Sequence, residues 1–163
     1  MDDVAYAYTP HGGGANQLPE ALGRYLDGTD LLRKTQALRL ATVDANGWPH
    51  AALLSAGEML ALPPQHLRFA LLAQSTSAAN LLRDPRSTLS VALDHGICEL
   101  RLQARRLAND DGPLALFEAT VLEVRSHVAP YADVISGVSF SLHQPDAVHA
   151  RWQRQLAALQ AAA

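Results

Sequence analysis

Three small hydroxyl residues stand in a row at Ser75, Thr76 and Ser77, after an apolar run and before a pattern typical of a helix. The first backbone N–H groups of a helix have no partner within it, and they carry about half a positive charge. A turn from a strand into a helix therefore binds phosphate readily. Capping the helix needs only one of the three hydroxyls. We therefore predict a phosphate site here, with capping alone as the alternative.

Further polar residues could act at the same site. Asn80 stands four residues after Thr76, a spacing that a helix brings to one side. We predict that Asn80 contributes to the phosphate site; a solvated helix position is the alternative. His50 follows Pro49 on a predicted strand, where it either donates to the phosphate or lies at the strand edge. Glu99 alternates with apolar residues, so the pattern predicts that it faces solvent or a partner chain.

The other reactive side chains predict neither a metal centre nor nucleophilic catalysis. Cys98 is the single cysteine and lies in an alternating apolar run, where cysteine usually packs as a small core residue. His143 and His149 are six residues apart, which does not place both on one face of a helix. No residue is assigned as a general acid, a general base or a metal ligand.

The composition predicts one globular domain in the cytoplasm. The chain has 163 residues, of which 48% are hydrophobic and 18% are charged. Its net charge of −3 provides no basic field for nucleic acid. No apolar run approaches the roughly 20 residues of a membrane helix, and no secretory signal opens the chain. One cysteine fits a reducing compartment. We therefore predict a cytoplasmic protein without nucleic-acid or membrane partners.

Residues 1–16, with three consecutive glycines, are predicted to be a flexible N-terminal tail, and residues 17–163 to be a single domain. The spacing of leucines predicts short helices over 18–28 and 29–37. A last helix is predicted from Pro145, because an apolar stripe follows at helical spacing: Val148, Trp152, Leu156 and Leu159.

The central part of the chain alternates like strands. Asn46-Gly47 separates two such runs and favours a type I′ hairpin turn. Arg105-Arg106 interrupts a later alternation and suggests a β-bulge. Antiparallel strands in a chain of this size close into a small barrel, which removes exposed edges. We predict a helix over 76–83 and six strands, over 38–44, 48–60, 66–73, 87–94, 97–107 and 113–128.

Three stretches carry a resemblance to a known family: LATVDANGWPHAALLS, LRFALLAQSTSAANLLRDPRSTLSVAL and CELRLQARRL. They look like the opening hairpin, the strand–turn–helix–strand unit and the fifth strand of the pyridoxamine 5′-phosphate oxidase-like, FMN-binding split barrels. The likeness covers about residues 30–126. It implies a mainly β fold with flanking helices, in which six antiparallel strands form a split barrel. It also implies a homodimer that binds FMN in clefts at the subunit interface.

The resemblance implies which residues contact the cofactor. The serine of the family's phosphate turn is kept at Ser75, whereas its two cations fall on Thr76 and Ser77. A basic residue of the second strand falls on Ser55, and a glutamine that approaches the flavin falls on Glu99. The implied cofactor-binding residues are His50, Ala51, Ala52, Leu53, Ala70, Leu71, Ser75, Thr76, Ser77, Asn80 and Glu99.

The function implied by the resemblance is that of an FMN-binding oxidoreductase acting on a small molecule. The family's C-terminal Arg-x-His substrate signature is absent, so a true pyridoxamine phosphate oxidase is not expected. The missing cations favour an alternative, a non-catalytic binding or sensing protein that has weakened or lost its cofactor. A haem-handling relative is a third reading, with His50, His127 or His143 as ligand. A deazaflavin such as F420 in place of FMN also stays open.

Overall fold

The computed structural model describes residues 16–109 and 112–163. The predicted flexible tail therefore lies outside the described residues, except for Asn16. The described part of the chain contains three α-helices, α1 (Glu20–Tyr25), α2 (Thr76–Arg83) and α3 (Pro145–Ala161), with a short 3-10 turn at Leu31–Arg33. The strands are β1 (Leu38–Val43), β2 (Pro49–Leu54), β3 (Met59–Leu62), β4 (His66–Leu72), β5 (Arg86–Leu93), β6 (Gly96–Arg106) and β7 (Leu114–His127).

All seven strands form one antiparallel sheet in the order β2-β1-β5-β6-β7-β4-β3. The two edge strands, β2 and β3, are consecutive in the chain and are joined by residues 55–58 alone. Such a connection spans at most about 18 Å even when it is extended. The sheet must therefore curl until its two edges nearly meet. This confirms the predicted class, an antiparallel β fold with flanking helices.

The strand number differs from the prediction, because the predicted strand over 48–60 is two strands. A turn divides it: the Glu58 N–H donates to the Ser55 carbonyl at 3.0 Å. The Glu58 carboxylate accepts from the Ser55 N–H at 2.7 Å and from the Ser55 hydroxyl at 3.1 Å. These bonds occupy polar groups at the end of the strand. The residues before the turn therefore pair with β1 as strand β2, and the residues after it pair with β4 as strand β3.

Two local predictions were wrong in detail. The β1–β2 hairpin forms, but only Gly47 has a positive φ, at 84°, so the turn is not type I′. The Asp44 carboxylate instead holds the loop by accepting from the N–H groups of Asn46 and Trp48, each at 2.9 Å. The bulge lies opposite Arg101 and Leu102 in β6, where β7 contains an extra residue. Regular pairing continues through the predicted bulge position at 105–106.

The core fills the inside of the curled sheet. Phe69 of β4 and Phe117 of β7 face each other across the ladder, with ring centroids 5.6 Å apart. Helix α2 contacts the neighbouring strands β1 and β2 and also β6 and β4, which lie further along the sheet order, so it lies across the curl. Its Ala78 and Leu81 are buried. None of the helices in the described residues combines the length and apolar character that crossing a membrane requires.

Helix α3 covers the seam between the two sheet edges. Its Trp152 side chain is 3% exposed and lies directly on the backbone of Gly57, in the turn that joins β2 to β3. A Cβ added at Gly57 would lie 2.1 Å from two indole carbons, closer than any real contact. Arg68 of β4 fastens the other end of α3, because its guanidinium donates to the carbonyls of Leu159 (2.7 Å) and Ala162 (2.8 Å).

We predict that Gly57→Ala destabilises the fold by about 2 kcal/mol or more, because the new methyl group displaces the indole of Trp152. The measurement is the free energy of unfolding in urea. Gly23→Ala is the control: Gly23 lies in α1, and its added Cβ would meet its nearest neighbour at 3.8 Å. That change should alter stability by at most about 1 kcal/mol, in the stabilising direction. Equal effects of the two substitutions would contradict this account of the seam.

Candidate functional site

Helix α2 starts at the three predicted hydroxyl residues. Ser75 is the N-cap, and its hydroxyl oxygen accepts from the Ala78 N–H at 3.2 Å. The Ala79 N–H donates to the Ser75 carbonyl at 3.1 Å. The N–H groups of Thr76 and Ser77 precede the first bond of the helix, so they are the donors that a ligand could use. Thr76 is exposed, whereas Ser77 is 3% exposed.

Asn80 is buried between α2 and β1. Its amide nitrogen donates to the Thr42 hydroxyl at 2.9 Å, and its amide oxygen accepts from Arg83 at 3.2 Å. Arg83 also donates to the Val43 carbonyl. Asn80 therefore has protein partners at both ends of its amide and attaches α2 to the sheet. Asn80 therefore has a positioning role: it holds α2 against β1.

The structure brings His50 to the same place. His50 pairs with Thr42 across the β1–β2 ladder, so both side chains lie on one face of the sheet. Thr42 in turn holds Asn80. His50 is half-buried, and its strand contacts α2. His50 and Asn80 thus belong to one junction between β1, β2 and α2, and Ser75 caps the start of the same helix.

The remaining predicted residues are spread over both faces of the sheet. Ala51 and Leu53 lie on the outer face of β2, where Leu53 is 54% exposed, and Ala52 shares the inner face with His50. On β4, Leu71 points into the core with Phe69, whereas Ala70 lies on the opposite face.

Glu99 lies on the outer face of β6 and is hydrogen-bonded to His127 of β7, with 3.1 Å between Oε2 and Nε2. It belongs to a row of charged side chains across β6 and β7. Glu123 lies between Arg125 at 2.8 Å and Arg101 at 3.3 Å. The hydrogen bond from Arg125 lowers the pKa of the Glu123 carboxyl. The Glu123 carboxylate therefore stays charged at neutral pH.

The Asp84-Pro85-Arg86 motif closes α2 and opens β5. The Asp84 carboxylate accepts from the Arg86 side chain at 3.0 and 2.8 Å and from its N–H at 3.1 Å. These side-chain hydrogen bonds lower the pKa of Asp84 to about 2. This motif, part of the strand–turn–helix–strand stretch that resembles the family, thus fixes the exit of α2.

Neither thiol nor metal chemistry is supported by the described residues. Cys98 is 3% exposed, and burial raises the pKa of its thiol to about 11. The nucleophilic form of cysteine is the thiolate, so this thiol is inert at neutral pH. Within residues 16–109 and 112–163, no three histidine, cysteine, aspartate or glutamate side chains are grouped to hold a metal ion.

A cavity of about 400 Å³ lies between α3 and the sheet, and the sequence did not reveal it. Arg151, Arg154 and Gln155 of α3 line it, together with Glu58 and Ala70. The sequence pattern of this helix predicted only its apolar stripe. The polar residues follow an i, i+3, i+4 pattern beside that stripe, and this was the available signal.

An adjoining cavity of about 310 Å³ shares Glu58 and Arg151 with the first cavity. Leu53 also lines it. Two predicted cofactor contacts, Leu53 and Ala70, thus border this pair of cavities.

The architecture defines a class of protein, as the comparisons show. A candidate pyridoxamine 5′-phosphate oxidase of Lactobacillus delbrueckii has a similar structure: TM-score 0.54, 24% identity, 69% of this chain and 97% of that one covered. HupZ of Group A Streptococcus matches with TM-score 0.50 and 14% identity over 64% of this chain and 94% of its own. The fold is that of the pyridoxamine 5′-phosphate oxidase-like split barrels, as the sequence resemblance implied.

The sequence itself has a full-length relative. The chain is 34% identical over 145 residues to the uncharacterized protein YclD of Bacillus subtilis, and the match covers 86% of this chain and 94% of YclD. No family model matches the chain. The chain belongs to the same family as YclD.

We predict that the Asn80–Thr42 hydrogen bond stabilises the α2 junction. Asn80→Ala and Thr42→Val should each cost about 1–3 kcal/mol, because each leaves a buried polar group without its partner. In the double variant the two costs should fall short of their sum by about 1 kcal/mol, measured by urea unfolding. Strict additivity would mean that the two side chains do not interact.

We also predict that Cys98 does not react with Ellman's reagent at pH 8 in the folded protein. With a pKa of about 11, only about one thiol in a thousand is ionised at that pH. The same reaction in concentrated urea is the control and should be complete within minutes. Rapid labelling of the folded protein would contradict the burial of this thiol.

Proposed function

We propose that the protein binds FMN and acts as an oxidoreductase on a small-molecule substrate. The observation that carries the proposal is the start of α2, where exposed Thr76 and two backbone N–H groups follow β4 in a split-barrel fold. These groups suit a phosphate, because they are donors at the positive end of a helix. His50, half-buried on a strand that contacts α2, is a further donor.

The outer face of β2 offers a matching surface for the flavin ring. Ala51 pairs with Ala41 across the ladder, and Leu53 beside them is 54% exposed. Small and apolar side chains leave a flat surface on which an aromatic ring system can lie. FMN, when bound, would supply hydride acceptance and electron transfer to an acceptor such as O₂. The protein would supply position, electrostatics and exclusion of water.

A homodimer is part of the proposal. Apolar side chains stand exposed on the outer face of the sheet, including Val43 (37%), Leu53 (54%) and Leu122 (51%). A partner that covered these side chains would remove their apolar surface from water. A second copy of the chain would cover this face and complete a cleft for the flavin, as in the family that the sequence resembles. The same proposal includes a cytoplasmic location for the protein.

The second candidate is a non-catalytic binding protein with the same fold. The feature that favours it is the weak phosphate site. The Ser75 hydroxyl oxygen already accepts the capping hydrogen bond from the Ala78 N–H. Thr76 and Ser77 stand at the two positions where the family has cations. Ser55, at another position where the family has a basic residue, is 7% exposed and bound to Glu58. Flavin binding without turnover of NADH or NADPH in the presence of common acceptors would support this candidate.

We predict that Thr76→Asp weakens FMN binding by more than about tenfold and leaves riboflavin binding unchanged. Like charges about 4 Å apart repel by roughly 4 kcal/mol at an effective dielectric constant of about 20. An aspartate in the first turn favours the helix, so α2 should remain folded. Dissociation constants come from quenching of flavin fluorescence. Riboflavin lacks the phosphate, so it isolates the charge effect.

Thr76→Asn is the matched control, because it has the size of aspartate without its charge. It should change FMN binding by less than about threefold, as expected for an exposed position. If Thr76→Asp and Thr76→Asn bind FMN alike, the phosphate does not lie at the start of α2.

A further inference from the structure

Helix α3 presents three polar side chains to one cavity. Arg151, Arg154 and Gln155 follow an i, i+3, i+4 spacing, which places them on one face of the helix. All three line the cavity of about 400 Å³. The rotation of α3 is fixed, because Trp152 is packed on Gly57 and Arg68 holds the carbonyls at its C-terminal end. The polar face is therefore directed at the cavity by the fold.

The two arginines of this face have no carboxylate partner among the described residues. Six other arginines are each paired with an aspartate or glutamate: Arg24, Arg68, Arg86, Arg101, Arg105 and Arg125. Glu58, the acidic residue of the cavity wall, uses one carboxylate oxygen to hold Ser55. Counted over the described residues, the wall thus carries two positive side chains and one negative side chain, although the whole chain has a net charge of −3.

Gln155 adds a second, independent observation. Its side chain is buried, with 8% of the residue exposed, and its amide oxygen has no hydrogen-bond partner within the described structure. Buried polar groups are almost always hydrogen-bonded, so an unpartnered one in a cavity wall calls for an explanation. A rotation of the Gln155 side chain would bring this oxygen to the cavity, where a bound molecule with an O–H or N–H group would provide the missing donor. Trp152 lines the adjoining cavity, and its ring nitrogen also has no acceptor among residues 16–109 and 112–163.

We propose that this cavity binds the anionic group of the substrate, a small organic acid or phosphate that also carries a hydroxyl or N–H group. Guanidinium groups match planar oxyanions because they can donate two parallel hydrogen bonds. Arg151 and Arg154 bind the anion, and the Gln155 amide oxygen accepts from the neighbouring donor. Ala70, a predicted cofactor contact, shares the same wall. The identification of this anion as part of the substrate rests on the proposed flavin function. The binding of an anion in the cavity does not depend on that function.

The test is an NMR titration of the full chain without flavin, with glycolate, acetate and inorganic phosphate as probes. We expect saturable shifts of the Arg151 and Arg154 Nε–H signals with all three probes. Glycolate should bind more tightly than acetate, because it adds a hydroxyl for Gln155. Absence of saturable shifts in the wild-type protein would overturn the proposal, even if FMN binds elsewhere.

Variants assign the binding to residues. Arg151→Gln and Arg154→Gln should each weaken probe binding at least tenfold, and Arg154→Lys should weaken it less. Gln155→Leu should remove the preference for glycolate over acetate. Arg24→Gln is the charge-matched control on α1 and should change nothing. If Arg24→Gln and Arg154→Gln weaken probe binding equally, binding depends only on the overall charge of the protein, and the proposal is overturned.

The cofactor's own phosphate is the other source of an anion for this cavity. Binding of FMN and of riboflavin to the arginine variants distinguishes the two sources. An unchanged preference for FMN over riboflavin supports a substrate anion. Loss of that preference in Arg151→Gln and Arg154→Gln would overturn the substrate assignment, because the cavity would then hold the phosphate of FMN. Failure of both flavins to bind, with the probe shifts intact, would reject only the flavin proposal.

Discussion

The contact between Trp152 and Gly57 holds together two sheet edges that no hydrogen-bond ladder joins. Strands β2 and β3 lie at opposite ends of the sheet order, yet only residues 55–58 connect them. The curl of the sheet therefore depends on a tight turn and on what covers it. Glycine is required at position 57 because the indole occupies the space where a side chain would start. This contact also fixes the rotation of α3, and with it the direction of Arg151 and Arg154.

The second constraint is the attachment of α2 between β4 and β5. Ser75 caps its start, Asn80 ties its middle to Thr42, and Asp84 bonds to Arg86 at its end. Each of these bonds is structural. Their combined effect is to hold the first backbone N–H groups of α2 in a defined place, and preorganised donors bind anions without a cost of ordering. Capping and phosphate binding are therefore compatible, because they use different groups of the same turn.

Much of the fold could be predicted from local patterns in the sequence. The alternation along β6, the hairpin around Gly47 and the cap of α2 are determined by residues close in the chain. The division of 48–60 into two strands could not be predicted in this way, since both halves are strand-like. The division results from two contacts. The Glu58 side chain binds Ser55 at the end of β2, and the two segments pair with different strands, β2 with β1 and β3 with β4.

The site was less predictable than the fold for the same reason. Ser75 and Asn80 are polar residues whose partners, Ala78 and Thr42, become known only when the helix is placed on the sheet. The cavity beside α3 joins residues almost a hundred positions apart, such as Glu58 and Arg154. No local pattern reveals such a juxtaposition. The family resemblance supplied candidate positions from the strands and the turn, and it included no residue of α3.

The central claim is that this split barrel has kept a flavin site with backbone groups and hydroxyls in place of cations. The most direct measurement is the visible absorption spectrum of FMN titrated with the purified protein. A flavin held in a protein cleft leaves bulk water, so the account predicts shifted and better resolved bands with a micromolar dissociation constant. A spectrum identical to that of free FMN throughout the titration would contradict it.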